Sequence, residues 1–291
     1  MILVTGAGGN VGSELVKKLR SSGTKFRAGY YSAKKAEEAK QAGEESVAVD
    51  FAKPESLRSA LQGVDGVFLI SGNVPNQTEL ELNVVKESKK AGVRHIVKSS
   101  VWGAESEAFS FAKVHRPVEK AIEASGMAYT LLRPNGYMQN MSNFYAETIR
   151  TQGAFCLPAR DARIGHVDVR DIAAVAARLL TEKGHEGKVY DLSGPEALTY
   201  SEIAEKLSAA IGKRISYMSL SDADFKKAMV GSGAPEAAAD AMIELFHYYI
   251  SGQASRVSPV VRQVTGQEPI SFDQYARDYI ASFRNDARAA G

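Results

Sequence analysis

The chain has 291 residues, enough for a large core in one or two domains. Its 36 basic and 34 acidic residues leave a net charge of +2, which gives no electrostatic basis for a nucleic-acid or membrane-surface partner. A single cysteine excludes an internal disulfide and a cysteine metal site, and no apolar run approaches the ~20 residues of a bilayer span.

The opening run Met1-Ile2-Leu3-Val4 reads as a strand rather than a secretion signal, so a cytoplasmic location is expected. It leads into Thr5-Gly6-Ala7-Gly8-Gly9-Asn10-Val11-Gly12, and the apolar spacing of Leu15, Val16 and Leu19 predicts a helix over 13–20. A strand, a glycine turn and a helix start in this order let the backbone approach a diphosphate, and the helix end offers unpaired N–H groups and a positive dipole. Gly12 is followed by Ser13 and Glu14, so the Gly-Lys-Ser/Thr of nucleotide hydrolases is absent.

Further strands are predicted over 25–31, 46–50, 66–70, 94–99 and 129–133, with helices over 33–42, 54–61, 77–91 and 113–124 between them. Apolar strands alternating with helices predict a parallel sheet covered on both faces. The second half is less regular: strands near 164–167, 189–192 and 215–218, helices over 172–180 and 200–211, a helical stretch over 223–250 broken near 231–235, and a last helix over 272–283. The expected fold is α/β, a Rossmann-like doubly wound parallel sheet with a smaller, mainly helical C-terminal lobe. Residues 1–152 would form the dinucleotide-binding domain and 153–291 the substrate-binding lobe, with strands 164–167 and 189–192 rejoining the main sheet or edging it.

Ligands of open parallel sheets bind beyond the carboxyl ends of the strands. The candidate cofactor residues are therefore Gly6, Ala7, Gly8, Gly9, Asn10 and Val11 in the turn, and Tyr31, Ser32 and Lys35 after strand two. Asp50 and Phe51 follow strand three, where they could meet the adenine. Ser71, Gly72, Asn73, Ser99, Ser100, Asn135, Gly136 and Tyr137 follow the later strands. An NAD site usually places an acid at the end of strand two, whereas this chain reads Tyr30-Tyr31-Ser32-Ala33-Lys34-Lys35. Lysine attracts a 2′-phosphate that a carboxylate would repel, so NADP(H) is favoured over NAD(H).

The opening Gly6-x-x-Gly9-x-x-Gly12, the stretch Ser125 to Arg133 followed by Asn135-Gly136-Tyr137-Met138, and Gly184-His185-Glu186-Gly187-Lys188-Val189-Tyr190-Asp191-Leu192 resemble the NmrA-like branch of the atypical short-chain dehydrogenase/reductases. Within it, the last stretch and Leu220 to Phe225 look like its quinone- and dye-reducing members. The resemblance spans nearly the whole chain. It implies a two-lobed monomer or weak homo-oligomer with NADPH at the strand ends, the turn on the diphosphate, and Asn135, Gly136 and Tyr137 beside the nicotinamide. One departure concerns the 2′-phosphate: Tyr31 stands where many relatives carry arginine, leaving Lys35, Lys34 or Arg27 for that role.

Typical short-chain dehydrogenases use Tyr-x-x-x-Lys on the helix after strand five, but this chain has Phe111-Ala112-Lys113-Val114-His115 there. Phenylalanine gives no proton, so no acid for ordinary ketones is evident. Quinones, cationic dyes and imines accept hydride with little help, because the developing charge is delocalised or cancelled. Trp102, Phe109, Tyr137, Met138, Phe144 and Tyr145 are candidate walls for such an acceptor. His115 and Tyr137 are the candidate catalytic residues, and His115 is also a candidate cofactor residue that could bond the nicotinamide ribose or carboxamide. The expected activity is an NADPH-dependent reductase of quinones or similar conjugated acceptors. The alternative is a non-catalytic NADP(H)-sensing regulator of the NmrA type. Cys156 reads as a buried small apolar residue, and no histidine pair has metal-ligand spacing, so no metal is expected.

Overall fold

The computed structural model describes residues 1–284; the end of the predicted second unit, 285–291, lies outside them. Among the described residues the strands are β1 (Ile2–Val4), β2 (Phe26–Tyr30), β3 (Ser46–Ala48), β4 (Gly66–Leu69), β5 (His95–Ser99), β6 (Ala128–Pro134), β7 (Ala154–Leu157), β8 (Lys188–Leu192) and β9 (Ser216–Ser219). Seven form one sheet in the order β3-β2-β1-β4-β5-β6-β8, every pairing parallel. The strand order reverses between β1 and β4, which places a crevice beyond their carboxyl ends.

Residue alternation explains the apolar strands. Val4, Phe68, Val97 and Leu132 pack with Leu15, Leu19, Ile172 and Leu179 on one face. Leu3, Val67, Ile96 and Leu131 pack with Leu57, Val84, Val118 and Ile122 on the other. Both faces are covered, so no position within these strands needs to be polar for solvent.

A separate core spans Met138 to Phe283 and includes Phe155, Tyr200, Ile203, Phe246 and Tyr275. Helix Tyr200–Ile211 starts where its sequence dictates: Thr199 accepts from the Glu202 N–H at 3.2 Å and the Glu202 carboxylate accepts from the Thr199 N–H at 2.8 Å. Here the structure corrects the sequence reading. β7 was not expected, and it pairs with β9 in a small parallel sheet. Residues 164–167 form no strand. The Ile164 N–H goes to Leu198, Gly165 to Ala254 and Val167 to Gly136, so this extended chain bridges three neighbours and builds no ladder. Helix 272–283 divides into Phe272–Asp278 and Ile280–Phe283. Cys156 lies in β7 and is only partly buried. Among the described residues, no helix is long and apolar enough to cross a membrane.

Asp171, in helix Val169–Thr181, accepts the Ile270 N–H at 2.8 Å and so pins the chain after residue 266 to the main domain. Burial pushes its carboxyl up to about 6. The folded state therefore holds this proton more tightly than the unfolded chain, and stability falls as pH rises from about 4 through 6. Asp171→Asn keeps an acceptor without the charge. It should stabilise the protein by up to about 2 kcal/mol at pH 7.5 and change little near pH 4, as read by thermal unfolding at both values. Destabilisation at pH 7.5 would contradict this.

Candidate active site

The glycine turn is built by three constraints. Gly6 has φ +59°, and a Cβ there would stand 3.0 Å from the Ile70 side chain. Thr5 is fully buried; its hydroxyl accepts the Ile70 N–H at 2.9 Å and lies 2.8 Å from the Ile70 carbonyl, locking β1 to β4 at the mouth of the crevice. Gly12 lies against the turn itself, 2.1 Å between a Cβ there and the Gly6 carbonyl oxygen. Helix Asn10–Ser21 follows with no side-chain cap and no acid in its first turn. Its leading N–H groups therefore face the crevice unpaired, as a diphosphate requires.

These residues border one cleft of about 710 Å³ that runs along the strand ends. Of the predicted cofactor residues, it is lined by Gly6, Gly8, Gly9, Asn10 and Val11, by Tyr31, Ser32 and Lys35, by Ser71, Gly72 and Asn73, and by Ser99, Ser100, Asn135, Gly136 and Tyr137. Ala7, Asp50 and Phe51 lie outside the lining. Ala7 is buried with its N–H on the Gly29 carbonyl; Asp50 pairs with Lys53; Phe51 packs on the core under β3.

Lys35 is the only one of the three proposed phosphate-binding cations on the cleft. Its chain runs along the turn, with Cδ 3.8 Å from the position of a Cβ on Gly8. Arg27 is committed elsewhere, to Glu45 at 2.7 Å and the Ala60 carbonyl at 2.8 Å. Lys34 points to solvent beside Glu38. The adenosine end thus has a cation, a hydroxyl at Ser32 and the exposed Tyr31 ring, and the residues present fit a dinucleotide with a 2′-phosphate.

The other end of the cleft is aromatic and closed by the smaller lobe. Trp102, Phe111, Phe144 and Tyr145 line it, as do Tyr200, Met242, Phe246 and Tyr249. Phe109 and Met138, expected as walls, are core residues instead: Phe109 is fully buried against Tyr248, 4.5 Å between ring centroids, and Met138 belongs to the small-lobe core. The Asn135 side chain is consumed within the protein, donating to the Ala254 carbonyl and accepting the Gly136 N–H, both at 2.9 Å. It holds the floor of the cleft.

Helix Ser110–Glu123 carries Phe111 and His115 and begins earlier than predicted, so Pro117 lies inside it. Arg133 at the end of β6 clamps this helix, giving two bonds to Glu119 at 2.9 and 2.7 Å. His115 is buried, and its Nδ1 has no hydrogen-bond partner among the described residues. Burial, and then the charge of Lys98, hold its imidazole well below the ordinary range. It is neutral at physiological pH and offers a hydrogen bond rather than a stored proton. Burial pushes the Tyr137 phenol up, against a smaller opposing pull from Ser99, so it stays protonated.

The NmrA-like family profile matches residues 1–275. The chain belongs to the NmrA-like family. It is 37% identical over 286 residues to the NAD(P)H azoreductase of Xenophilus azovorans, a match covering 97% of this chain and 99% of that one. The NADPH-dependent quinone oxidoreductase of Escherichia coli, solved with NADPH, superposes with a TM-score of 0.88 at 31% identity, covering 96% of this chain and 100% of the other. The Citrobacter triphenylmethane reductase, solved with NADP(H), gives 0.84 at 30% identity, covering 94% and 98%. The family and fold read from the glycine turn and the Asn135-Gly136-Tyr137 region are therefore borne out. In this NmrA-like chain, sequence reasoning missed Gln77, Tyr200, Met242, Leu245, Phe246 and Tyr249 on the cleft. The one local signal for the last was the aromatic run Phe246-His247-Tyr248-Tyr249 late in a long helix.

Proposed function

We propose that this protein is an NADPH-dependent reductase that delivers hydride to a quinone or a similar conjugated acceptor without a Tyr/Lys catalytic pair. The observation that carries the reading is a single cleft with a glycine turn and Lys35 at one end and an aromatic wall at the other. The azoreductase and quinone oxidoreductase relatives, both matched over nearly the whole chain, support the same chemistry.

A reduced nicotinamide, when bound, supplies the hydride. The protein does the rest by position. The turn and helix Asn10–Ser21 hold the diphosphate, and Lys35 the 2′-phosphate. Gly136, His115 and Tyr137 border the nicotinamide end, where neutral His115 and protonated Tyr137 offer hydrogen bonds and no strong acid. The second lobe, drawn from the described part of residues 153–291 without helix Val169–Thr181, β8 and helix Val260–Thr265, adds Tyr200 and the helix Glu236–Ile250 over the acceptor and excludes water.

The test is NADPH consumption followed by absorbance with and without 1,4-naphthoquinone. Turnover that requires the quinone, and that Lys35→Glu shifts toward NADH by about tenfold or more, is expected from reversing the charge at the 2′-phosphate. Nucleotide binding with no acceptor-dependent oxidation would favour the sensor reading.

A further inference from the structure

Around Gly136 the cleft holds polar groups with no partner among the described residues. Gly136 has no side chain, and a Cβ there would stand 3.1 Å from His166 Cδ2, 3.4 Å from His166 Nε2 and 3.3 Å from the Tyr249 hydroxyl. Both side chains are more than nine-tenths buried, at 5% and 7% exposure, and both line the cleft. The Tyr249 hydroxyl makes no hydrogen bond among the described residues, and His166 Nδ1 is buried without one. The Tyr249 ring is fixed edge-on to Phe246, 6.0 Å between centroids, and the His166 ring edge-on to Tyr200 at 5.5 Å. The Tyr249 hydroxyl is not enclosed in the core: it opens to the cleft, where it is free to bond a guest.

We propose that the Tyr249 hydroxyl, beside the His166 ring and under Gly136, is a catalytic hydrogen-bond donor to the acceptor atom on which negative charge develops. The proposal deepens the reductase reading and rests on it. It assigns the site to neutral acceptors with a carbonyl oxygen or comparable heteroatom, in preference to cations. With a quinone, the C4–H bond of the dihydronicotinamide breaks and both its electrons pass to the quinone with the hydrogen. The nicotinamide is oxidised to the pyridinium form, the quinone is reduced to the hydroquinone monoanion, and water supplies the remaining proton. A donor aimed at the atom that gains charge stabilises the transition state more than the bound quinone. A cationic dye loses its charge on reduction and needs no such donor.

Three observations suit the role. Burial holds the Tyr249 phenol up, so it remains a donor. Burial pushes the His166 imidazole down to about 4, against a smaller raising effect of the Ile164 backbone, so at neutral pH the ring is uncharged and leaves no cation there to take over the role of the phenol. The phenols of Tyr145 and Tyr200 lie close by and are held protonated in the same way, which keeps this end of the cleft free of anions.

The experiment compares Tyr249→Phe with wild type on two acceptors, 1,4-naphthoquinone and the cationic dye malachite green, at saturating NADPH. Quinone binding to the NADP+-loaded protein is measured alongside through Trp102, the only tryptophan and a cleft residue. The expected result is a fall in quinone kcat of about 100-fold, the scale for losing one such donor. Quinone Kd should stay within about threefold and the quinone-to-dye ratio of kcat should fall at least about tenfold, with thermal unfolding of the two proteins certifying the fold. Equal losses on both acceptors, an unchanged quinone kcat, or a loss confined to quinone Kd would overturn the assignment. If wild type oxidises NADPH with neither acceptor, the reductase reading itself fails and takes the assignment with it.

Discussion

Gly12→Ala is expected to weaken NADPH binding by at least about 100-fold, or ~2.7 kcal/mol. The added Cβ would stand 2.1 Å from the Gly6 carbonyl oxygen, 2.7 Å from its carbon and 3.1 Å from Ala7 Cα. All three are backbone atoms of the turn, so no flexible side chain can move aside. Relief requires the helix start to slide or the turn to open, and either displaces the N–H groups that receive the diphosphate. Overpacking of this kind costs about 1–3 kcal/mol of stability, so thermal unfolding should fall as well. Gly9→Ala is the matched control. Its Cβ would lie 3.3 Å from the same carbonyl oxygen, which a small adjustment accommodates, and its loss of affinity should be under tenfold. Calorimetric titration of the three proteins decides the matter: Gly12→Ala binding within threefold of wild type would contradict this account of the turn.

The second large effect is expected behind the site. Lys98 on β5 and Glu81 on helix Gln77–Lys90 are both fully buried, with Nζ 3.0 and 2.9 Å from the two carboxylate oxygens. Glu81 also accepts from Ser71 at 2.7 Å and from Gln77 at 3.4 Å, two residues that line the cleft. Removing one charge leaves the other buried and unpaired. Lys98→Met and Glu81→Leu should each cost about 3–5 kcal/mol in denaturant unfolding. The double replacement should recover most of that loss, because neither charge then needs compensation. Lys98→Met should also raise the His115 pKa, since the Lys98 charge is one of the two causes that hold it down. Single losses below 1 kcal/mol, or additive losses in the double variant, would show that solvent or another group already compensates the pair.

These two sites differ in how much the sequence discloses. The turn was legible because all its parts are local: a strand, glycines at 6, 9 and 12, and an uncapped helix start lie within twenty residues. The alternation of strands and helices through β6 was legible for the same reason, as was helix Tyr200–Ile211, whose Thr199 and Glu202 spell its start. Lys98 gives no such signal. It looks like a solvent-facing residue of a strand, and only the parallel sheet and the helix above it reveal the carboxylate it meets.

The acceptor end was the least legible. Gly136 comes from the end of β6, His166 from a bridging segment that forms no ladder, and Tyr249 from a helix more than a hundred residues later. Nothing in spacing or periodicity links them; the contact exists only because the small lobe folds back over the crevice. The misplaced walls have the same origin. Phe109 and Met138 sit beside cleft residues in sequence, yet helix geometry and the 138–141 turn direct them into the core. Phosphate-end candidates were separated by ion pairing: Arg27 looked as available as Lys35 until Glu45 and two backbone carbonyls were found to hold it.

The most direct test of the whole account is titration of the folded, dialysed protein with NADPH, followed by calorimetric heat and by Trp102 fluorescence. The account predicts saturable binding of one NADPH per chain, with the heat and the tryptophan signal saturating together because turn and aromatic wall border one cleft. Neither heat nor fluorescence change with NADPH or NADH would contradict it.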